Sequence, residues 1–314
     1  MKQLYPAIEP FAKEWFETGD GHEVYFEQVG NPSGIPVIFL HGGPGSNCKD
    51  HHRCFFNPEK YRVILMDQRG AGRSRPLGRL THNTTKHLIL DMEAIRQKLA
   101  IEKWWLFGGS WGATLALLYA QQYTSYVSGM ILRGTFLARS RDADWFFKEG
   151  ANRLFPEAWH RFTQHVSPNE RKDVLAAYYH RLSIDDDEVL QETTREWDAW
   201  GGAVVLGDEF NAQALDGPVP KTAIAQAQIE THYAMNRYFI AENQILTNVL
   251  RLHKLPCAII HGKKDYMCPL ESSFTLANAL PKSQFISLPN STHLAHGEEM
   301  IDALVEAADS MFDE

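Results

Sequence analysis

Apolar and polar positions change rhythm several times along the chain. Near the N-terminus two stretches alternate, Glu14 to Thr18 and Glu23 to Val29, which is the period-two pattern of strands with one face in a core. Gly19-Asp20-Gly21 between them reads as a hairpin turn, so the chain is expected to open with antiparallel strands. After Asn31-Pro32-Ser33-Gly34 the alternation gives way to short unbroken apolar runs at Val37 to Leu40, Val63 to Met66, Trp104 to Phe107 and Met130 to Leu132. Such runs, each ending in glycine or polar residues, predict strands buried on both faces of a parallel sheet.

Helical spacing separates several of these runs. Thr84 or Thr85 is placed to cap a helix in which Leu88, Met92, Ile95 and Leu99 recur at intervals of four, three and four, and strand–helix alternation of this kind predicts an α/β fold with right-handed crossovers. From about Phe136 to about Leu246 the strand-like runs vanish and aromatics gather, among them Trp145, Phe146, Phe147, Trp159, Trp197 and Trp200. This predicts a helical cap, residues 136–246, inserted into a core domain made of residues 1–135 and 247–314. Aromatic stripes in such a segment are more often packed core than binding wall. Strand character returns at Cys257 to His261 and at Phe285 to Leu288, followed by a terminal helix from about Gly297 to Phe312.

Composition narrows the functional classes. With 314 residues, 44% of them hydrophobic and 22% charged, the chain has the makings of a large packed core. A formal net charge of -8 and the lack of any Lys/Arg run exclude nucleic acid as an expected partner, because phosphate binding needs a cationic surface. An acidic surface also fits attraction of amines. The opening MKQLYPAIEP places acid and proline where a signal peptide needs an apolar core, and no run is long enough to span a bilayer; a soluble cytoplasmic protein without membrane contact is expected. Four cysteines are too few for a disulfide framework and suit a reducing compartment. Cys48, His51, His52 and Cys54 are zinc-binding types in one short stretch, but adjacent histidines rarely converge on one ion and no second paired cluster completes a site. The stretch is expected to be a polar surface loop, and neither a metal nor a cofactor is expected.

Candidate chemistry centres on Gly108-Gly109-Ser110-Trp111-Gly112, a G-x-S-x-G pattern in which the glycines permit a tight turn that lifts a serine off the end of a strand. Its context fits, with the apolar run Trp104 to Phe107 before it and the helix-forming stretch Ala113 to Gln122 after it. A serine hydroxyl needs an imidazole to take its proton, and the imidazole needs a carboxylate to fix its tautomer. With the order serine, acid, histidine, Asp265 follows the strand ending at His261, and His293 follows the last strand. His296 competes for the base, but His293 lies nearer the strand end; His261 reads as a structural residue. The oxyanion of a tetrahedral intermediate needs backbone donors, which Trp111 and the glycine-rich His41-Gly42-Gly43-Pro44-Gly45, through Gly43, are placed to supply. These assignments define a serine hydrolase of the α/β-hydrolase fold, with a mostly parallel central sheet.

With these residues assembled, the sequence resembles the prolyl iminopeptidases over nearly its whole length. The resemblance rests on His41 to Gly45, on Asp67-Gln68-Arg69-Gly70-Ala71-Gly72-Arg73-Ser74, on Gly108 to Gly112 and on Gly150-Ala151-Asn152-Arg153-Leu154-Phe155-Pro156. It implies an aminopeptidase that releases N-terminal proline from small peptides with a free N-terminus, using Ser110, Asp265 and His293 with Gly43 and Trp111 as the oxyanion hole. It further implies an apolar pocket for the proline ring at Phe136, Phe147 and Cys268, which the residues themselves do not single out. That family also holds the substrate amine with acidic residues, one of which matches Glu230. Where the family usually has Trp-Glu-Gly this chain reads Trp200-Gly201-Gly202. Asp198 and Glu196 stand nearby, but two or more positions away on a helix they are expected to point elsewhere. Thr292 also departs from the glycine the family usually has there.

Two other readings keep different parts of this evidence. An esterase or amidase acting on a neutral substrate retains the serine site and follows from the missing carboxylate at Gly201. A noncatalytic binding protein retains only the fold, and the survival of a complete set of reacting groups argues against it. Epoxide hydrolases and dehalogenases of this fold present Asp where this chain has Ser110. The sequence gives no oligomeric state.

Overall fold

The computed structural model describes residues 1–311, with the side chains at 212 and 214 outside the description. Eight strands form one sheet: β1 (Ala12–Glu17), β2 (Glu23–Gly30), β3 (Ile35–Leu40), β4 (Tyr61–Met66), β5 (Trp104–Gly109), β6 (Val127–Arg133), β7 (Cys257–Gly262) and β8 (Ser283–Leu288). Their spatial order is β1-β2-β4-β3-β5-β6-β7-β8. β1 pairs with β2 and β2 with β4 antiparallel; every later pairing is parallel. This is the mostly parallel sheet that the apolar runs predict.

The period-two geometry of strands explains why those runs are unbroken. Ile38, Leu40, Ile64, Met66, Leu106, Met130 and Leu132 face one core, while Val37, Phe39, Val63, Leu65, Trp105, Phe107 and Ile131 face another. The first core also takes up α1 (Thr85–Lys98) and α2 (Trp111–Gln122). All residues of α2 from Trp111 to Gln121 are buried, so it has no polar face to give a periodic signal. Thr84 is the N-cap of α1, as expected, but its hydroxyl meets His87 Nδ1 at 2.8 Å instead of a backbone N–H.

Between β6 and β7 the described elements are all helical. They are α3 (Ser140–Phe147), α4 (Ala151–Leu154), α5 (Pro156–Gln164), α6 (Val174–Arg181), α7 (Asp187–Leu206), α8 (Lys221–Met235) and α9 (Gln244–Thr247), joined by loops and short 3-10 turns. After β7 come α10 (Leu270–Ala279), β8 and α11 (Glu298–Ser310). The expected end of the terminal helix at Phe312 lies outside the described residues. No helix is long and apolar enough to cross a membrane among the described residues.

Candidate active site

The parallel strands end together, and the loops beyond β3, β5, β6, β7 and β8 build one site there. β5 runs further than its apolar run, because Gly108 and Gly109 stay in the ladder opposite Leu132 and Arg133. The chain then turns into α2 within one residue. Ser110 makes that turn at φ 56°, ψ -124°, a conformation that L side chains rarely adopt. It is held by Ser110 N donating to Arg133 O at 2.9 Å and by Ala113 N donating to Ser110 O at 2.9 Å. The flanking glycines are needed for close approach: a Cβ at Gly112 would lie 2.1 Å from Leu40 O, and one at Gly108 would lie 2.3 Å from Gly112 O.

Asp265 and His293 meet across the ends of β7 and β8. His293 Nδ1 donates to Asp265 Oδ2 at 2.7 Å, while Asp265 Oδ1 accepts from the backbone N–H groups of Met267 (3.0 Å) and Cys268 (2.8 Å). Burial alone would push the Asp265 carboxyl up, but His293 and these donors hold it below the usual range. His261 is fully buried with Nδ1 on Ser273 Oγ at 2.7 Å and Nε2 on Cys268 O at 2.8 Å, its Nε2 lying a longer 3.3 Å from Asp265 Oδ2. Burial lowers its pKa and keeps it neutral. His296 lines the same cavity as His293, but it is His293 that the Asp265 carboxylate engages.

Two neighbours of this pair were not singled out in the sequence. Gly134 follows β6 at φ +51°, and a Cβ there would sit 3.0 Å from Asp265 Oδ2 and 3.3 Å from His293 Nδ1. Only a residue without a side chain leaves the pair undisturbed in this backbone conformation. Arg133, at the end of β6, donates from its guanidinium to His293 O and so fixes the loop that carries the imidazole. A glycine after an apolar run marks both positions, yet it looks no different from an ordinary turn.

The glycine-rich loop after β3 packs against the elbow. Gly43 adopts φ +110° and lines the cavity beside Ser110, and a Cβ at Gly42 would lie 3.4 Å from Ser110 Cβ. His41 ties the loop down: its Nε2 accepts from Gln68 N at 2.9 Å, and its Nδ1 lies 2.8 Å from Gly42 O. Gln68 in turn accepts from Trp111 Nε1 at 2.8 Å, joining loop to elbow. Trp111 opens α2, so its backbone N–H belongs to the first turn, where helix donors lack internal partners. The rest of the Asp67 to Ser74 stretch is structural: Arg69 forms a bidentate pair with Asp91 at 2.5 and 2.7 Å, and Arg73 joins Asp67 to Glu27.

Ser110 and His293 open onto a cavity of about 710 Å³ that reaches up between the helices inserted after β6. Phe136, Phe147 and Cys268 all line it. The Phe147 ring stacks on Trp197 with centroids 5.6 Å apart, and Phe136 meets Tyr238 edge-on at 4.9 Å. Burial pushes the Cys268 thiol well up, which leaves it a small apolar wall. Glu230, from α8, reaches the same cavity and accepts from Trp197 Nε1 at 2.7 Å and Gln226 Nε2 at 2.9 Å.

The two carboxylates expected to point elsewhere differ from each other. Glu196 does so, pairing with Arg161 at 2.6 and 2.7 Å. Asp198 does not: it lines the cavity together with Gly201 and Glu230. The correction is one of helical geometry, since residues three apart share a face. Burial pushes the Asp198 carboxyl up to about 6. It likewise pushes Glu230 up to about 7, with help from the Asp198 charge and against the two hydrogen bonds to Glu230.

This raised value has a stability consequence. An unfolded glutamate ionises near pH 4.3, so between there and about pH 7 the folded state binds more protons at Glu230. Stability contributed by this group is therefore lost as pH rises, by up to about 4 kcal/mol. Glu230→Gln removes that penalty: its melting temperature is expected to exceed the wild type's at pH 8, with the gap closing toward pH 4. Melting curves across that range check the sign.

The stretch from Cys48 to Cys54 is not the polar surface loop expected. Asp50–Phe55 forms a 3-10 turn whose Arg53, Cys54 and Phe55 are buried, and the His52 ring stacks on Phe39 at 4.4 Å. Cys48 Sγ donates to Met66 O. No three ligand atoms of Cys48, His51, His52 and Cys54 lie within 4.8 Å of one another. Cys48 and Phe55 pack into the second core while His51 stays exposed, so apolar contact holds only part of the stretch in place.

Comparison with known proteins shows the family. Residues 35–299 match the family model described as alpha/beta hydrolase fold. A proline iminopeptidase from Xylella fastidiosa (strain Temecula1) is 43% identical, covering 99% of both chains. One from Arabidopsis thaliana is 39% identical over 99% of this chain and 82% of its own. Among solved structures, a hydrolase from Pseudomonas aeruginosa superposes with a TM-score of 0.64 at 16% identity, covering 96% of this chain and 98% of its own. An esterase from Rhodococcus gives 0.61 at 19% identity, covering 98% and 99%. At such identities the structural likeness concerns the fold alone. The chain belongs to the α/β-hydrolase family and, within it, to the proline iminopeptidases.

Proposed function

We propose that this chain is a serine aminopeptidase that releases N-terminal proline from small peptides with a free N-terminus. The observation that carries the reading is the placement of Ser110, His293 and the half-buried carboxylate of Glu230 around one cavity. A hydrolytic serine site needs no interior acid beyond Asp265, whereas a substrate ammonium taken out of water requires a counter-charge. Residues 136–246 act as the cap that carries this counter-charge, over a core formed by 1–135 and 247–314.

In this mechanism Ser110 Oγ attacks the carbonyl carbon of the first residue while His293 Nε2 takes the hydroxyl proton. Asp265 holds the Nδ1–H of His293 and stabilises the imidazolium. The oxyanion is met by the N–H groups of Trp111 and Gly43. Collapse breaks the C–N bond, His293 passes its proton to the leaving amine, and a prolyl ester remains on Ser110. Water activated by His293 hydrolyses that ester. Phe136, Phe147 and Cys268 enclose the pyrrolidine ring, and Glu230 meets its ammonium. All four cysteines are free and buried, which supports a reducing, cytoplasmic setting.

The test is a panel of free-amine aminoacyl 4-nitroanilides. L-Proline is expected to give a kcat/KM about 10-fold or more above leucine or phenylalanine, the discrimination that a small closed apolar pocket provides. Equal rates along the panel would remove the proline assignment and leave a general aminopeptidase.

A further inference from the structure

We infer that Asp198 is a second carboxylate of the amine site, holding the substrate ammonium together with Glu230. The inference rests on the aminopeptidase reading above and adds a specificity-determining residue to it. Asp198 projects from α7 and Glu230 from α8, and both line the cavity that contains Ser110. The Trp197 Nε1 to Glu230 Oε2 hydrogen bond of 2.7 Å fixes these two helices against each other immediately beside Asp198.

Neither carboxylate has a cationic partner among the described residues. The cations that line the cavity are committed elsewhere, Arg133 to His293 O and Lys49 to Asn47 Oδ1 at 2.6 Å. Glu196, on the same helix, shows the contrast, since it carries its own arginine. Two acids that face a largely apolar cavity without a counter-ion are an unfavourable arrangement for the empty enzyme. A ligand that brings a positive charge relieves it.

The geometry also matches the chemistry of the ligand. A proline ammonium has two N–H bonds that diverge from one nitrogen, so two acceptors on separate helices satisfy both. Asp198 and Gly201 lie three residues apart and line the same cavity, and a Cβ at Gly201 meets nothing within 4 Å. The wall is thus open at 201 and charged one turn earlier at 198. A carboxylate one helical turn from Gly201 can serve the same cavity.

The experiment measures kcat and KM for L-proline 4-nitroanilide and for its N-acetyl counterpart with wild type, Asp198→Asn, Asp198→Ser and the double variant Asp198→Asn/Gly201→Glu. Loss of a charge-assisted hydrogen bond predicts a rise in KM for the free amine on the order of 30-fold in both single variants, with kcat changed far less. The free-over-acetylated preference shrinks by the same factor, and Gly201→Glu restores most of it by returning a carboxylate to the open wall. A role confined to structure would alter both substrates alike and would gain nothing from Gly201→Glu. The inference is overturned if wild type prefers the free amine and the single variants keep both its KM and that preference. If wild type shows no preference for the free amine, the aminopeptidase reading itself fails, and Asp198 has no ammonium to hold.

Discussion

Ser110→Ala is expected to lower kcat for L-proline 4-nitroanilide by about 10⁴- to 10⁶-fold, with little change in KM. In the proposed mechanism the hydroxyl is the atom that forms the ester, and no other nucleophile among the described residues is placed to replace it. Cys268 sits close to Ser110, but burial holds its thiol protonated, and a buried neutral thiol is a poor nucleophile. The variant should remain folded. The turn at φ 56° is enforced by backbone hydrogen bonds to Arg133 and Ala113 and by the close approach of Gly112 to Leu40. None of these uses the hydroxyl, so the melting temperature should stay close to that of wild type. Residual rate above that of water would report what Gly43, Trp111 and binding contribute without the nucleophile.

Asp265→Asn is expected to cost on the order of 10⁴-fold in kcat, the size known for the same change in a serine-protease triad. The argument follows from the partners of each oxygen. Oδ1 accepts from two backbone N–H groups, of Met267 and Cys268, and an amide NH2 group cannot take that position. The asparagine oxygen must therefore stay there, which turns its NH2 group toward His293 Nδ1. That nitrogen must then accept, which places the ring proton on Nε2, and a protonated Nε2 cannot take the serine proton. Gly134 leaves no slack for the pair to rearrange, because its backbone packs directly on both side chains. Single-turnover kinetics should show slow acylation with substrate binding retained. A variant with near-normal kcat would remove Asp265 from the proposed role.

Much of the fold was legible because parallel strands buried on both faces leave a plain signal. Val37 to Leu40 and Val63 to Met66 name their strands directly, and Gly108 to Gly112 names the turn that follows β5. Strand ends were less legible: Gly108 and Gly109 belong to β5 by hydrogen bonding, which composition does not reveal. The triad candidates could be read because the chemistry demands rare residue types at strand ends in a fixed order. The pocket wall could not, since Phe136, Phe147 and Cys268 look like any other core residues until the cavity is seen.

Asp198 departs from the expectation for a simpler reason: sequence separation from Gly201 is a poor guide on a helix, whose periodicity returns a side chain to the same face after three or four residues. Gly134 and Arg133 give no signal in the sequence because their importance lies in backbone conformation and in a contact 160 residues along the chain. The half-buried turn around His52 differs from the expected polar loop because the contacts of His52 with Phe39 and of Cys48 with β4 are those of core residues, whatever the polarity of the side chains.

The most direct test of the central claim is the ratio of kcat/KM for L-proline 4-nitroanilide to that for N-acetyl-L-proline 4-nitroanilide, measured at pH 8 with wild-type enzyme. Above about pH 7 Glu230 is ionised, so an aminopeptidase should favour the free amine by on the order of 100-fold or more, the value of a charge-assisted contact in a desolvated pocket. A ratio near one, or faster cleavage of the acetylated substrate, would contradict the assignment and leave a Ser110 hydrolase of neutral amides or esters.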